Sequence, residues 1–235
     1  MFAVVQFPGS NDDRDARFAL KSVLGAAAEL VWHQRAELPP GTAAVLLPGG
    51  FSYGDYLRCG AMAQYSPVMA AVKRFAEAGG PVLGVCNGFQ VLCESGLLPG
   101  ALVRNHHLHF VCSFVTVRVE QAAAPFLSRA RPGQLLRLPV KHGEGAYFAP
   151  PAQLAQLVES RQIVLRYCEP DGSVTAAANP NGAAANIAGV RNARGNVMGL
   201  MPHPEHAVEP AIGGTDGLVL LGSLVDAVSR RGGSA

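Results

Sequence analysis

Short apolar runs recur along the first half of the chain. FAVVQF (2–7), ELVWHQ (29–34), AAVLLPGG (43–50) and PVLGVCNG (81–88) are nearly continuous in hydrophobic residues. Strands buried on both faces of a parallel sheet have this pattern. Between them, DARFALKSVLGAAAEL (15–30) and SPVMAAVKRFAEAG (66–79) carry apolar residues at helical spacing, and Pro67 suits a first-turn position. The first hundred residues therefore predict consecutive βα units and a doubly wound, mostly parallel α/β sheet.

The middle of the chain reads differently. VCSFVTVRVE, LLRLPV and IVLRYC, within 102–120, 134–140 and 162–168, are rich in β-branched residues with few helical stretches between them. They predict an antiparallel insertion or extension of the sheet. NIAGVRN (186–192) and GNVMGLMP (195–202) read as two short strands around an ARG turn. GLVLLGSLVDAVSR (217–230) predicts an amphipathic helix closing one face, with a frayed GGSA end. No internal repeat or long linker divides the chain, so residues 1–235 are expected to form one domain.

Composition narrows the function classes. With 49% hydrophobic and 15% charged residues the chain buries a core, which excludes disorder as its theme. A net charge of +2, with no block of like charges, leaves no electrostatic footprint for nucleic acid or an anionic membrane. Small molecules or other proteins are the expected partners. The amino terminus lacks a basic leader and no run approaches the ~18 apolar residues of a membrane span, so a cytoplasmic location is expected. Five cysteines without a CxxC pair fit neither a disulfide framework nor a thiolate zinc site.

The chemistry concentrates at Gly84-Val85-Cys86-Asn87-Gly88, where an apolar strand runs into a helix-like segment. Gly-x-nucleophile-x-Gly is the pattern of a strained strand-to-helix elbow, here with cysteine as the nucleophile. Gly84 and Gly88 leave room across the turn, the Asn87 amide can face a substrate, and the helix dipole favours a thiolate. A base with its orienter is available in Pro202-His203-Pro204-Glu205. In an extended, proline-braced segment Glu205 would support one ring nitrogen while the other faces the thiol. A third element, LPGGFSYGDYLR (47–58), follows a predicted strand and offers glycine amides to an oxyanion. His106, His107 and His109 lack partners at a spacing that completes a metal site, and no metal is expected. KHGEG (141–145) is either a hairpin turn or a substrate-facing loop.

GVCNGFQ, PGGFSYGDYLR and PHPE, in this order, resemble the class I (triad) glutamine amidotransferases, whose sheet is flavodoxin-like. More narrowly, LPGGFSYGDYLRCGA, HGEG with Tyr147-Phe148, NPNGAAANIAGV and GNVMGLMPHPEHAVE resemble the glutaminase subunits of phosphoribosylformylglycinamidine synthase, from Val5 to about Leu221. The resemblance implies a Cys86 nucleophile, His203 as general acid/base and Glu205 as its orienter. It also implies oxyanion donors at Gly50 and Asn87 and a glutamine contact at Gln90. Ammonia would pass to a large synthetase subunit, often accompanied by a small accessory subunit. ATP and Mg2+ would belong to that synthetase, consistent with the lack of a P-loop pattern here. The pattern departs at His206, where the family commonly carries arginine. A stand-alone thiol hydrolase of the same α/β type, the glutaminase of another amidotransferase and a silent scaffold are the alternatives. Dependence on a synthetase separates the first of these from a subunit.

Overall fold

The computed structural model describes residues 1–232, with side chains to Arg230. The predicted strands form as β1 (Phe2–Gln6), β2 (Ala28–Trp32) and β3 (Ala44–Leu47), with β4 at Val82–Val85. Between β1 and β2 lies α1 (Asp13–Phe18), continued by a π-helical turn at Ala19–Val23. That helix is shorter than the 15–30 periodicity predicts. Gly25, at φ +67°, ends it in the left-handed conformation that favours glycine, and Ala28–Leu30 go to the strand instead. α2 (Pro67–Glu77) follows its prediction, with Pro67 in the first turn and Val68, Met69, Ala71, Val72 and Ala76 buried on one face.

After β4 come α3 (Asn87–Glu94), β5 (Ala101–Val103), β6 (Val111–Val119), β7 (Leu135–His142) and β8 (Ala146–Phe148). A helix absent from the prediction, α4 (Pro151–Glu159), precedes β9 (Ile163–Cys168). The chain ends with β10 (Ile187–Arg191), β11 (Val197–Leu200) and α5 (Gly217–Gly232). Residues 233–235 of the GGSA end lie outside the described residues.

Nine strands make one sheet in the order β2-β1-β3-β4-β11-β10-β9-β6-β7. From β2 to β11 every pairing is parallel, and from β11 outward every pairing is antiparallel. The sheet is therefore doubly wound with an antiparallel extension, as the two styles of apolar patterning require. β5 and β8 pair separately. Strands β1, β3, β4 and β11 are buried along nearly their whole length, which explains why they read as unbroken apolar runs.

Two consequences of this order place the site. Strand order reverses between β1 and β3, so the loops after them flank a crevice at the carboxyl edge of the sheet. Beside it, β4 and β11 run parallel with Val85 opposite Leu200, so residues following the two strands emerge side by side.

Candidate active site

Cys86 leaves β4 at φ 49° and ψ −105°, a strained conformation for a residue with a Cβ. The glycines on either side make the turn possible. A Cβ on Gly84 would lie 2.6 Å from the Gly88 carbonyl oxygen, and one on Gly88 would lie 2.0 Å from the carbonyl oxygen of Leu47 in β3. The Cys86 amide donates to Leu200 O at 2.8 Å, tying the elbow to β11. Its sulfur lies 3.8 Å from the carbonyl oxygen of Lys141 at the end of β7, and the residue is only 5% exposed.

His203 follows β11 and is fully buried; its amide donates to Pro139 O at 2.8 Å. Nδ1 lies 2.6 Å from Oε1 of Glu205, itself buried. The segment is not extended throughout: Pro204–His206 forms a single 3₁₀ turn, and this turn brings Glu205 back onto the ring. Burial pushes the imidazole down, but the charges of Glu205 and Cys86, with the hydrogen bond to Glu205, outweigh it and raise His203 to about 10. Glu205 takes Nδ1, which leaves Nε2 for the sulfur. Thiol, imidazole and carboxylate thus meet in a nearly dry enclosure, where an ion pair is poorly screened.

The remaining predicted residues surround the same point. Asn87 opens α3, where its amide has no intrahelical acceptor. Its side chain accepts from the Ser52 amide at 3.2 Å and donates to Gln90 Oε1 at 2.9 Å and Asp55 Oδ1 at 3.4 Å. Gln90 in turn donates to Glu144 O in the HGEG segment, which is therefore a wall of the site. Gly50, at φ +140°, is packed against the loop after β1, where a Cβ would lie 2.6 Å from the Asn11 nitrogen. Its neighbour Gly49 borders the His203 ring.

The loop at Ser52–Asp55 carries three consecutive left-handed residues, Tyr53, Gly54 and Asp55. It is anchored through the Tyr53 hydroxyl, 2.8 Å from both His33 Nδ1 and Ser66 Oγ. Burial pushes the thiols of Cys59, Cys93 and Cys168 up, so these are poor nucleophiles beside Cys86.

Sequence reasoning missed two residues. Asp12, in the acidic turn after β1, is buried against His203, and Lys141 pairs with it. Lys141 opens the KHGEG segment singled out above, but nothing local gives it this role, and only the fold brings the two together. Asp12, His203, Glu205 and His206 place ligand atoms within 4.8 Å of one another, among the described residues the one group that could hold a metal ion. The Lys141 ammonium already supplies a cation there. His106, His107 and His109 are not part of it. The His106 backbone amide donates to Asn181 O, the His107 ring lies 3.0 Å from Pro180 O through Nε2, and the His107 and His109 rings stack.

A cysteine elbow and an imidazole–carboxylate pair on adjacent parallel strands of a doubly wound sheet fit the class of triad glutamine amidotransferases. Residues 1–212 match the CobB/CobQ-like glutamine amidotransferase domain family. The phosphoribosylformylglycinamidine synthase subunit PurQ of Gloeobacter violaceus is 56% identical over 224 residues, 95% of this chain and 96% of that protein. The PurQ subunit of Thermomicrobium roseum is 58% identical over 224 residues, 95% of this chain and 94% of the relative. The structure of PurLQS from Thermotoga maritima contains a chain that superposes with a TM-score of 0.84 at 40% identity, covering 96% of this chain and 97% of that one. The chain belongs to the PurQ family of glutamine amidotransferases, the glutamine-hydrolysing subunits of phosphoribosylformylglycinamidine synthase. Among the described residues no helix is long and apolar enough to cross a membrane.

Proposed function

We propose that the chain acts as a single amidotransferase domain in which Cys86, His203 and Glu205 hydrolyse the side-chain amide of L-glutamine. The observation that carries this reading is the buried His203 ring, held by Glu205 on Nδ1 and following the strand that pairs with the one ending at Cys86. The Cys86 thiolate attacks the carboxamide carbon, and the C=O electrons move to oxygen. Backbone amides of Gly50 and Asn87 receive that oxyanion, while Gln90 contacts the bound amino acid. His203 gives its proton to the leaving nitrogen, the C–N bond breaks, and ammonia departs from a γ-glutamyl thioester. Water then attacks the thioester as His203 takes its proton. Glutamate leaves and the thiolate returns.

Ammonia is consumed by a large synthetase subunit (PurL), assembled with a small accessory subunit (PurS). The Thermotoga maritima assembly, which carries a chain 40% identical to this one, supports that partnership. ATP and Mg2+ are assigned to the synthetase, and neither nucleic acid nor a membrane is a partner. Free cysteines throughout the described residues support a cytoplasmic, reducing location.

The test is covalent labelling with 6-diazo-5-oxo-L-norleucine, a reactive glutamine mimic, read by intact mass and peptide mapping. A single adduct on Cys86, blocked by excess glutamine and absent from Cys86→Ser, is expected. Labelling on another cysteine, or none with the synthetase present, overturns the reading.

A further inference from the structure

Glu205 is not the only carboxylate on the catalytic ring. Asp12 places Oδ2 3.6 Å from Nδ1 of His203, while Oδ1 pairs with the Lys141 ammonium and lies 3.4 Å from Nε2 of His206. Its side chain is 3% exposed. A Cβ on Gly49 would lie 2.3 Å from Oδ2 of Asp12 and 2.7 Å from Cε1 of His203. Carboxylate and ring edge thus share the space that a side chain at Gly49 would need. The Asp12 amide also donates to Gly49 O at 3.3 Å, beside the glycine proposed as an oxyanion donor. Lys141, in turn, faces Cys86 with its backbone carbonyl. One ion pair, with a buried carboxylate and a partly exposed lysine, therefore joins the imidazole, the glycine loop and the strand end at the nucleophile.

The charges make this arrangement more than packing. Burial would push Asp12 up, but His206, His203 and Lys141 hold it well below the usual carboxylate range, so it stays charged at working pH. Two uncompensated carboxylates on one ring would hold the imidazolium proton too tightly for it to be passed on, and the Lys141 ammonium offsets the second. Other groups facing His203 are Cys86, Glu205, His142, whose own proton is disfavoured by His203, and His206, with ring centroids 5.4 Å apart. Asp15 stands behind His206, 3.3 Å from its Nε2.

We propose that Asp12 is a second positioning carboxylate for His203, and that Lys141 trims its charge so that the ring can both donate and recover its proton. This inference rests on the acid/base role given to His203 above. Removing the negative member should lower the pH at which the imidazolium is lost, and removing the positive member should raise it. A purely structural pair would impair both variants alike.

The test is the pH dependence of Cys86 alkylation by iodoacetamide in the full chain, read on the Cys86 peptide, which requires no turnover of glutamine. In Asp12→Asn the upper inflection is expected to fall by about half a pH unit or more, and in Lys141→Met to rise by about as much. Lys141→Arg, which keeps the charge, should restore the wild-type inflection. Should Asp12→Asn fail to fold, Lys141→Met still decides: a rise sustains the proposal, and no movement or a fall overturns it. The same profiles are measured for glutamate release by the complex with its synthetase subunits. Opposed alkylation shifts without glutamate release from wild type would sustain the pair and count against the glutaminase reading instead.

Discussion

Gly88 and Leu47 meet backbone to backbone: a Cβ on Gly88 would lie 2.0 Å from the Leu47 carbonyl oxygen. The start of α3 can rest directly on the end of β3 only because this position has no side chain. Gly88→Ala should therefore push the helix off the strand, costing about 2 kcal/mol of stability and displacing Cys86. Urea denaturation together with diazo-oxo-norleucine labelling checks this. A wild-type midpoint with full labelling would show that β3 yields.

Glu205→Gln preserves the shape of the side chain that holds Nδ1 of His203 at 2.6 Å but removes its charge. The imidazolium loses a major support, so kcat is expected to fall on the order of a hundredfold, with the alkaline limb of the rate moving to lower pH. KM for glutamine should change little, because Glu205 lies behind the ring. Steady-state glutamate release across pH measures both effects. A change confined to KM would place Glu205 in substrate binding.

The Tyr53 hydroxyl ties a left-handed loop segment to His33 and Ser66. Tyr53→Phe leaves both partners short of a hydrogen bond and loosens the segment that presents the Ser52 amide to Asn87. KM for glutamine is expected to rise about fivefold with the midpoint of unfolding nearly unchanged. Equal losses in KM and in global stability would mean that the hydroxyl supports the whole fold instead.

His142 is buried between two amides, with Nδ1 3.2 Å from Asn105 Oδ1 and Nε2 3.4 Å from Asn181 Nδ2. An amide donor on Nε2 suits a neutral ring, and burial, with the charge of His203, lowers His142 from 6.5 to about 4. Between these two values the unfolded chain binds the additional proton. Stability is therefore full above about pH 6.5 and is lost as pH falls toward about 4, by up to about 3 kcal/mol. Denaturation across this window should show the slope in wild type and a flatter profile in His142→Asn. Equal slopes would assign the acid sensitivity to other groups.

The parts of this molecule that could be read from sequence are those whose causes are local. The elbow announces itself because its two glycines, its cysteine and its strand lie in one short segment. The parallel strands were legible for a similar reason, since burial on both faces writes itself as unbroken apolar runs. The helix over 15–30 was overextended because its alanines suit helix and strand alike, so Gly25 set the boundary. α4 follows consecutive prolines that punctuate the pattern, although Pro151 simply occupies its first turn. Asp12 left no local trace, and Lys141 stood out only as the first residue of the KHGEG segment, with no role to it. An aspartate in an acidic turn and a lysine in a strand look solvated until the loop after β1 and the end of β7 are brought to one imidazole.

β11 is among the last strands to leave the ribosome, yet it takes a place in the middle of the sheet, between β4 and β10. Until it enters, the nascent chain has a thiol but no base, and the gap beside β4 is open. On the acid/base role proposed for His203, a fragment ending before it would hold the thiol in place and still release no ammonia, however well its first strands have assembled.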